Sequence, residues 1–368
     1  MDGKETEKSD APTLSMASFW WSGRSRLLAA AAGTGATALA GYAALRSPAL
    51  CSASDGATGR SDPSGLRQLR STSFKLADHH HGKARVRVLK VQTEGTKHFV
   101  QEYSVATKLF SPSYADVFTK ESNQGLVATD TQKNTVYVVA KRSTARTPEG
   151  FGIDLAHHLL HEYPVLSAVE VEVTSTLWDR VNQSGEQHDH GFVKRGPERA
   201  LARVRLTRDA PEGPQVVSSI EGLTVLKTTQ SGFTNFLRDK YTLLPDVTER
   251  CLATEMAVEW RYSKPVSTKK GSGPDYEAVR SAIRAELMRG FYGPPKGGVH
   301  SVSLQATIYD MGCLVLSAVP AVSSVSIDTP NIHMLPVQQL KAFGDDFDND
   351  VFIATSEPAG TIHCTVSR

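Results

Sequence analysis

From residue 85 onward, apolar and polar positions alternate over long stretches of the chain. Val86 and Val88 alternate with Arg85 and Arg87, and Val169, Val171, Val173 and Leu177 with Glu170, Glu172, Thr174 and Thr176. Ala202, Val204 and Leu206 alternate with Arg203, Arg205 and Thr207, and Met256, Val258, Trp260 and Tyr262 with Glu255, Ala257, Glu259 and Arg261. A period of two with one polar face predicts antiparallel strands buried on one side only. Helical signals interrupt this pattern. Thr147-Pro148-Glu149 combines a capping hydroxyl, a proline in the first turn and an early acid, and leads into FGIDLAHHLLHEY before Pro164. Asp275 opens a second helix with Val279, Ile283 and Leu287 on one face, and a third spans about 303–318 before Pro320. The order is paired strands, a helix and paired strands over 83–210, with a similar order over 215–368. Grouped strands predict an α+β fold with antiparallel sheets and helices on one face. The repeated order suggests an internal duplication that no residue-level repeat supports.

Composition narrows the class. The 368 residues are 40% hydrophobic and 22% charged, enough for a sizeable core and unlike a disordered, collagenous or polytopic membrane chain. The formal net charge of +2 gives no electrostatic reason to expect a nucleic-acid partner. Residues 1–75 hold nine basic and six acidic groups, so the leader supplies the excess and the body is nearly neutral. Cys51, Cys251, Cys313 and Cys364 are scattered without a CxxC spacing, as expected of reduced thiols rather than staples or a zinc knot.

The leader has its own pattern. Residues 27–45 run uncharged between Arg26 and Arg46, with Phe19, Trp20 and Trp21 just upstream. That length suits one bilayer span of about 20 residues, yet most of its side chains are small. A targeting peptide, a membrane anchor and a disordered extension all fit. Acidic residues in the first ten count against a mitochondrial address. Residues 46–78, rich in Ser, Gly, Pro and Arg, read as a linker, and the folded body is expected to begin near Lys83.

Several constellations invite a metal or nucleophile reading and fall short. His157 and His161 share a helix face, but HHLLH lacks the glutamate of a zinc-protease motif. His188 and His190 flank Asp189 and point the same way on a strand. His79, His80 and His81 end the linker. No P-loop, strand-borne GxGxxG or GxSxG elbow occurs. The segment LTVLKTTQSGFTNFLRDKYTLLPDVTER, residues 223–250, is more distinctive. It is an apolar strand ending in Lys227, then Thr228-Thr229, then Phe233, Phe236 and Tyr241, and finally Arg250.

That segment resembles the signature of the urate oxidase (uricase) family. Further matches follow the family's order: LVATDTQKNTVYVVAK (126–141), SLQATIYDM (303–311), PNIHMLPV (330–337) and GTIHCTV (360–366). The resemblance covers about 83–367 and none of the leader. It implies oxidation of urate by dioxygen and water to 5-hydroxyisourate and hydrogen peroxide, with no metal and no organic cofactor. It implies the tunnelling fold, with ββααββ-type halves at about 79–213 and 214–368. Four subunits would assemble around a tunnel, with active sites at subunit interfaces.

The resemblance also assigns roles. Phe233 matches the aromatic that stacks on the purine, Arg250 the cation that grips its anionic edge, and Gln305 the amide on the opposite edge. Leu304 and Asp130 match residues offering backbone contacts. Lys83, Thr129 and His333 match a base relay, and Asn331 matches the residue that, with Thr129, holds dioxygen, peroxide or water above the ring. Glu249 stands where the family usually has Asp, and Thr234 and Asn235 replace bulkier residues. The family's peroxisomal address is expected, although the chain ends Thr365-Val366-Ser367-Arg368 without a Ser-Lys-Leu-like signal; a mitochondrial or membrane-anchored site through 27–45 is the alternative. Two other functions remain open at this point: an inactive, membrane-tethered purine-binding protein, and a zinc-dependent pterin enzyme of the same fold.

Overall fold

Nine strands form one sheet in this computed structural model, which describes residues 74–209, 211–264 and 273–368. The leader, including 27–45 and the linker up to residue 73, lies outside the described residues. The strands are β1 (His81–Glu94), β2 (Lys97–Phe110), β3 (Ala168–Gln183), β4 (Glu186–Thr207), β5 (Gln215–Lys227), β6 (Leu252–Tyr262), β7 (Val322–Pro336), β8 (Phe352–Thr355) and β9 (Thr361–Ser367). They pair antiparallel in sequence order from β1 to β8, and β9 pairs with the first part of β7. The alternating positions behave as predicted. Val169, Val171 and Val173 are wholly buried, as are Val204, Val258 and Trp260.

Four long helices cover the sheet: α1 (Thr129–Arg142), α2 (Pro148–Glu162), α3 (Tyr276–Tyr292) and α4 (Leu304–Ala318). The three predicted helices start where their caps place them. The side chains of Thr147, Asp275 and Ser303 accept from the backbone N–H groups of Gly150, Ala278 and Ala306. The first half therefore holds two helices where local sequence signals marked one and the family resemblance implied two. The extra one, α1, starts at Ala128 without a side-chain cap and carries the β-branched run Val136-Tyr137-Val138-Val139, which reads as strand. Packing overrides that preference: Gln132, Thr135, Val136, Val139 and Ala140 form one buried stripe. Short helical turns at Pro112–Tyr114, Ala115–Thr119 and Gln338–Phe343 complete the described elements.

The helices and sheet enclose two apolar clusters. One gathers β1–β4 with α1 and α2 around Leu109, Phe151 and Leu155; the other gathers β5–β7 with α3 and α4 around Trp260, Phe291 and Met311. A buried polar joint connects α2 to α3. The wholly buried Glu149 carboxylate accepts from Ser218 Oγ (2.8 Å) and from Arg280 Nη2 (3.2 and 3.3 Å). The remaining face of the sheet is polar. There Lys108 and Arg205 meet Glu170, and Arg203 meets Glu259.

Candidate active site

Lys83 and α1 meet at one end of the sheet. Lys83 lies opposite Thr107 in the β1–β2 register, just before a bulge that spans Lys83 to Val86. Gly82 permits this approach, because a Cβ there would lie 2.1 Å from the Thr107 carbonyl oxygen. The Thr107 hydroxyl donates to Gln132 Oε1 (2.8 Å), and Gln132 Nε2 donates to the Val127 carbonyl (3.1 Å). Gln132 sits in the first turn of α1, so this buried chain ties β1 and β2 to the helix start at Thr129. Thr129 is half-buried, Lys83 is half-buried, and Asp130 is exposed. The Asp130 carboxyl is held below the usual carboxylate range, chiefly by its hydrogen bond from Lys133 (2.5 Å), with a smaller share from the charge of Lys83.

The segments that carry Phe233, Arg250, Leu304 and Gln305 come together elsewhere. After β5 the chain forms an irregular loop laced to two distant segments by its backbone. Phe233 N–H donates to the Val247 carbonyl (2.6 Å), Arg250 N–H to that of Ser231 (2.8 Å), Gly232 N–H to that of Ser301 (2.9 Å) and Ser301 N–H to that of Gln230 (2.9 Å). Gly232 permits the approach, since a Cβ would lie 3.0 Å from the carbonyl oxygens of Val247 and Thr248. Glu249 adds a clamp, accepting from Thr229 Oγ1 (2.7 Å) and the N–H groups of Gln230 (2.5 Å) and Ser231 (3.4 Å). Ser301 leads directly into α4, whose first residues are Leu304 and Gln305. Leu304 is buried and its N–H belongs to the helix's unpaired first turn; the Gln305 side chain is exposed.

The chemistry of this second cluster is that of an anion cradle. The Arg250 guanidinium sits 5.4 Å from the centroid of the Phe233 ring, and Phe236 stacks on Phe233 at 4.9 Å and 9°. Arg250 Nε is buried without a hydrogen-bond partner among the described residues, and burial lowers the Arg250 pKa. A buried unpaired guanidinium donor calls for an acceptor. Asn331 adds another unpaired group. It lies opposite Thr254 on β6, four residues after Arg250; its N–H donates to the Gly360 carbonyl (2.9 Å), and its side-chain Oδ1 is buried and unpartnered among the described residues. His333 follows on β7, half-buried and opposite Thr355.

The two groups are not brought together within one chain. From Lys83 the register runs through Thr107, Val171 and Val204 to Val216 at the start of β5. Asn331 aligns through Thr254 with Val225, and Arg250 precedes Leu252, the partner of Lys227 at the end of β5. Those positions lie nine to eleven residues further along β5, roughly 30–36 Å down the strand.

The histidine pairs take ordinary places. His157 is half-buried on α2 and desolvation lowers its pKa, while His161 is exposed beside Glu162. The His188 and His190 rings do face the same way, edge to face at 4.6 Å, but His188 Nδ1 accepts the backbone N–H of His190 (3.2 Å). Among the described residues no three His, Cys, Asp or Glu side chains are grouped to share a metal ion, and no helix is long and apolar enough to cross a membrane. Sequence reasoning missed Gln132, Thr107 and the lacing role of Glu249. The last carried a signal, because it directly precedes Arg250 within the motif; the Thr107–Gln132 bond joins positions 25 apart and carried none.

Comparison with known proteins identifies the family and the fold. Residues 79–205 and 216–363 match the family model described as Uricase. Uricase-2 isozyme 2 of Glycine max is 41% identical over 300 residues, covering 80% of this chain and 96% of the relative. The Arabidopsis thaliana uricase is 41% identical over 299 residues, covering 79% and 95%. Among solved structures, the uricase from Arthrobacter globiformis superposes with a TM-score of 0.71 at 34% identity, covering 81% of this chain and 96% of that one. A Bacillus sp. TB-90 urate oxidase variant shares the fold at a TM-score of 0.65 and 21% identity, covering 79% and 100%. Neither the inactive tether nor the zinc-dependent pterin enzyme finds support in these relatives.

Proposed function

Since this chain belongs to the uricase family and is an oxidoreductase acting on urate, we propose that it completes its active site across a subunit boundary. One subunit supplies Phe233, Arg250, Leu304, Gln305, Asn331 and His333; a neighbour supplies Lys83, Thr129 and Asp130. The observation that carries this reading is the separation of the two groups along β5, combined with the unpaired, buried Arg250 Nε beside the Phe233 ring. Nearly full exposure of Leu237 and Leu243, in the loop between Phe233 and Arg250, supports a partner covering that end. The assembly is a homotetramer of the tunnelling fold, each subunit contributing halves at 79–213 and 214–368.

In this site the flat purine lies on the Phe233 ring, whose π-face suits a planar, delocalised anion. Arg250 offers its planar fork to an oxyanion and adjacent ring nitrogen, which gives the buried Nε an acceptor. Gln305 donates and accepts at the opposite edge, and the Leu304 N–H adds a fixed donor. The Thr129 hydroxyl is a weak base alone. Lys83 takes its proton, and His333 extends the relay. The more fully deprotonated purine is electron-rich enough to pass one electron to dioxygen, and the radical pair recombines. Asn331 and Thr129 hold oxygen, peroxide or water above the ring. Urate, dioxygen and water give 5-hydroxyisourate and hydrogen peroxide, with no step requiring a metal or organic cofactor. The full chain mixed with urate in air should consume the urate absorbance and release an equal amount of peroxide, unaffected by a chelator. A confirmed tetramer without turnover would sink the proposal, and inhibition by the chelator would sink its metal-free part.

A further inference from the structure

The apolar run LTVL is followed by a lysine that neither the base relay nor the purine cradle uses. Lys227 is the last residue of β5, 9% exposed. Its Nζ donates to Ser301 Oγ (2.7 Å), the Val299 carbonyl (2.9 Å) and the Phe291 carbonyl (3.3 Å). Three acceptors engage all three protons of an ammonium. No carboxylate lies within ion-pairing distance of it among the described residues. Burial pushes the Lys227 pKa down, with Glu249 opposing from a distance. A buried ammonium without a carboxylate partner is costly, so what its bonds organise is informative.

All three bonds reach the end of α3 and the segment that leads into α4. Ser301 is the junction. Its hydroxyl also accepts from Thr307 Oγ1 (2.7 Å), in the first turn of α4, and its backbone pairs with Gln230 and Gly232 beside Phe233. A shift at Ser301 therefore moves the Phe233 loop and the α4 N-terminus relative to one another. We infer that Lys227 is a positioning residue that, through Ser301, sets Leu304 and Gln305 against Phe233 and Arg250. This rests on the substrate cradle proposed for those four residues. A lysine that merely filled a polar hole in the core would alter stability alone.

The experiment compares Lys227→Met, Thr307→Val and Thr307→Ser with the parent, all in the full chain. It measures kcat and KM for urate, the Kd of the planar purine xanthine, and Tm. Lys227→Met should raise KM and the xanthine Kd about tenfold while kcat changes less than about threefold. Thr307→Val should move both constants in the same direction by about threefold, and Thr307→Ser, which keeps the hydroxyl, should restore them. A lower Tm for Lys227→Met with KM and Kd unchanged overturns the inference. If Lys227→Met does not fold, the Thr307 pair decides: indistinguishable Val and Ser variants overturn it. A parent that binds xanthine but leaves urate intact overturns the oxidase chemistry, and the Kd series still decides on Lys227. A parent that does neither overturns both.

Discussion

The two ends of the sheet carry different kinds of site. At the Lys83 end, a helix start and a bulged strand edge are joined by side chains, with the Thr107–Gln132 bond as the link. At the Arg250 end, three segments distant in sequence are laced by backbone hydrogen bonds, and a donor (Arg250 Nε) and an acceptor (Asn331 Oδ1) are left buried and unpaired among the described residues. The first end carries the lysine and threonine proposed to move a proton; the second holds a buried guanidinium beside an aromatic ring, a shape and a charge suited to an anion. Roughly 30 Å of strand separates them, so in the proposed site neither end is complete alone. On the proposed reading, most of the purine cradle and the Lys83–Thr129 part of the base relay lie at opposite ends of one subunit, and assembly would join them.

Mixing subunits tests that division most severely. Thr129→Ala should lower kcat by about two orders of magnitude, as loss of a positioned acid–base group does. Arg250→Lys, which exchanges a planar fork for a point donor, should raise KM for urate about tenfold. When tetramers are co-assembled from Thr129→Ala and Arg250→Ala chains, a self-complementary pairing leaves one unaltered site in each hybrid pair. Roughly a quarter of wild-type activity should then return. Activity no higher than the two variants assayed separately would mean each subunit holds its own site, and the comparison would collapse.

The two glycines at the close approaches sharpen the contrast at an intermediate scale. Gly82→Ala sets a Cβ 2.1 Å from a backbone oxygen of β2, and Gly232→Ala sets one 3.0 Å from two loop carbonyls. Overpacking of this kind costs about 1–3 kcal/mol, with the Gly82 change at the upper end. The kinetic signatures should differ as the regions do. Gly82→Ala should act mainly on kcat through Lys83, and Gly232→Ala mainly on KM through Phe233. Steady-state kinetics in air-saturated buffer separate them, and identical signatures would contradict the assignment of roles by region.

The same contrast governs what the sequence discloses. Period-two alternation marked parts of β1, β3, β4 and β6, the apolar run at 223–227 marked the end of β5, and local helix signals marked three of the four long helices; β2, β7, β8 and β9 were not individually marked. The fourth, α1, was hidden by its β-branched run and uncapped start; only tertiary burial of Gln132 through Ala140 makes it a helix. The Arg250 end was partly legible, since Lys227, Phe233, Glu249 and Arg250 fall within one contiguous motif. Its junction, Ser301, lies far outside that motif. The Lys83 end was legible only through family resemblance, because nothing local distinguishes Lys83 from a surface lysine or Thr129 from a turn threonine. The division between the ends required the strand register, which alternation alone does not number.

Two carboxylates give the finest test. Asp130 and Glu249 both sit below the usual carboxylate range: Asp130 first through its bond from Lys133, Glu249 first through its bond from Thr229 and then through the N–H groups of Gln230 and Ser231. A depressed folded-state pKa stabilises the fold at pH values above the unfolded carboxyl value, about 4, and that contribution fades as pH falls through the lower folded value. The sign is the same for both residues, but the reach differs. Asp130 bonds residues three and four positions ahead on its own helix, whereas Glu249 bonds residues 18 to 20 positions back across the loop. Asp130→Asn should therefore leave the melting temperature nearly unchanged. Glu249→Gln should lower it modestly at pH 7, with the difference from the parent closing as pH is taken from about 5 to 3. Melting curves of both variants over that range decide the point. An Asp130→Asn loss equal to that of Glu249→Gln would show that the lacing at the Arg250 end contributes nothing beyond what a single helical turn provides.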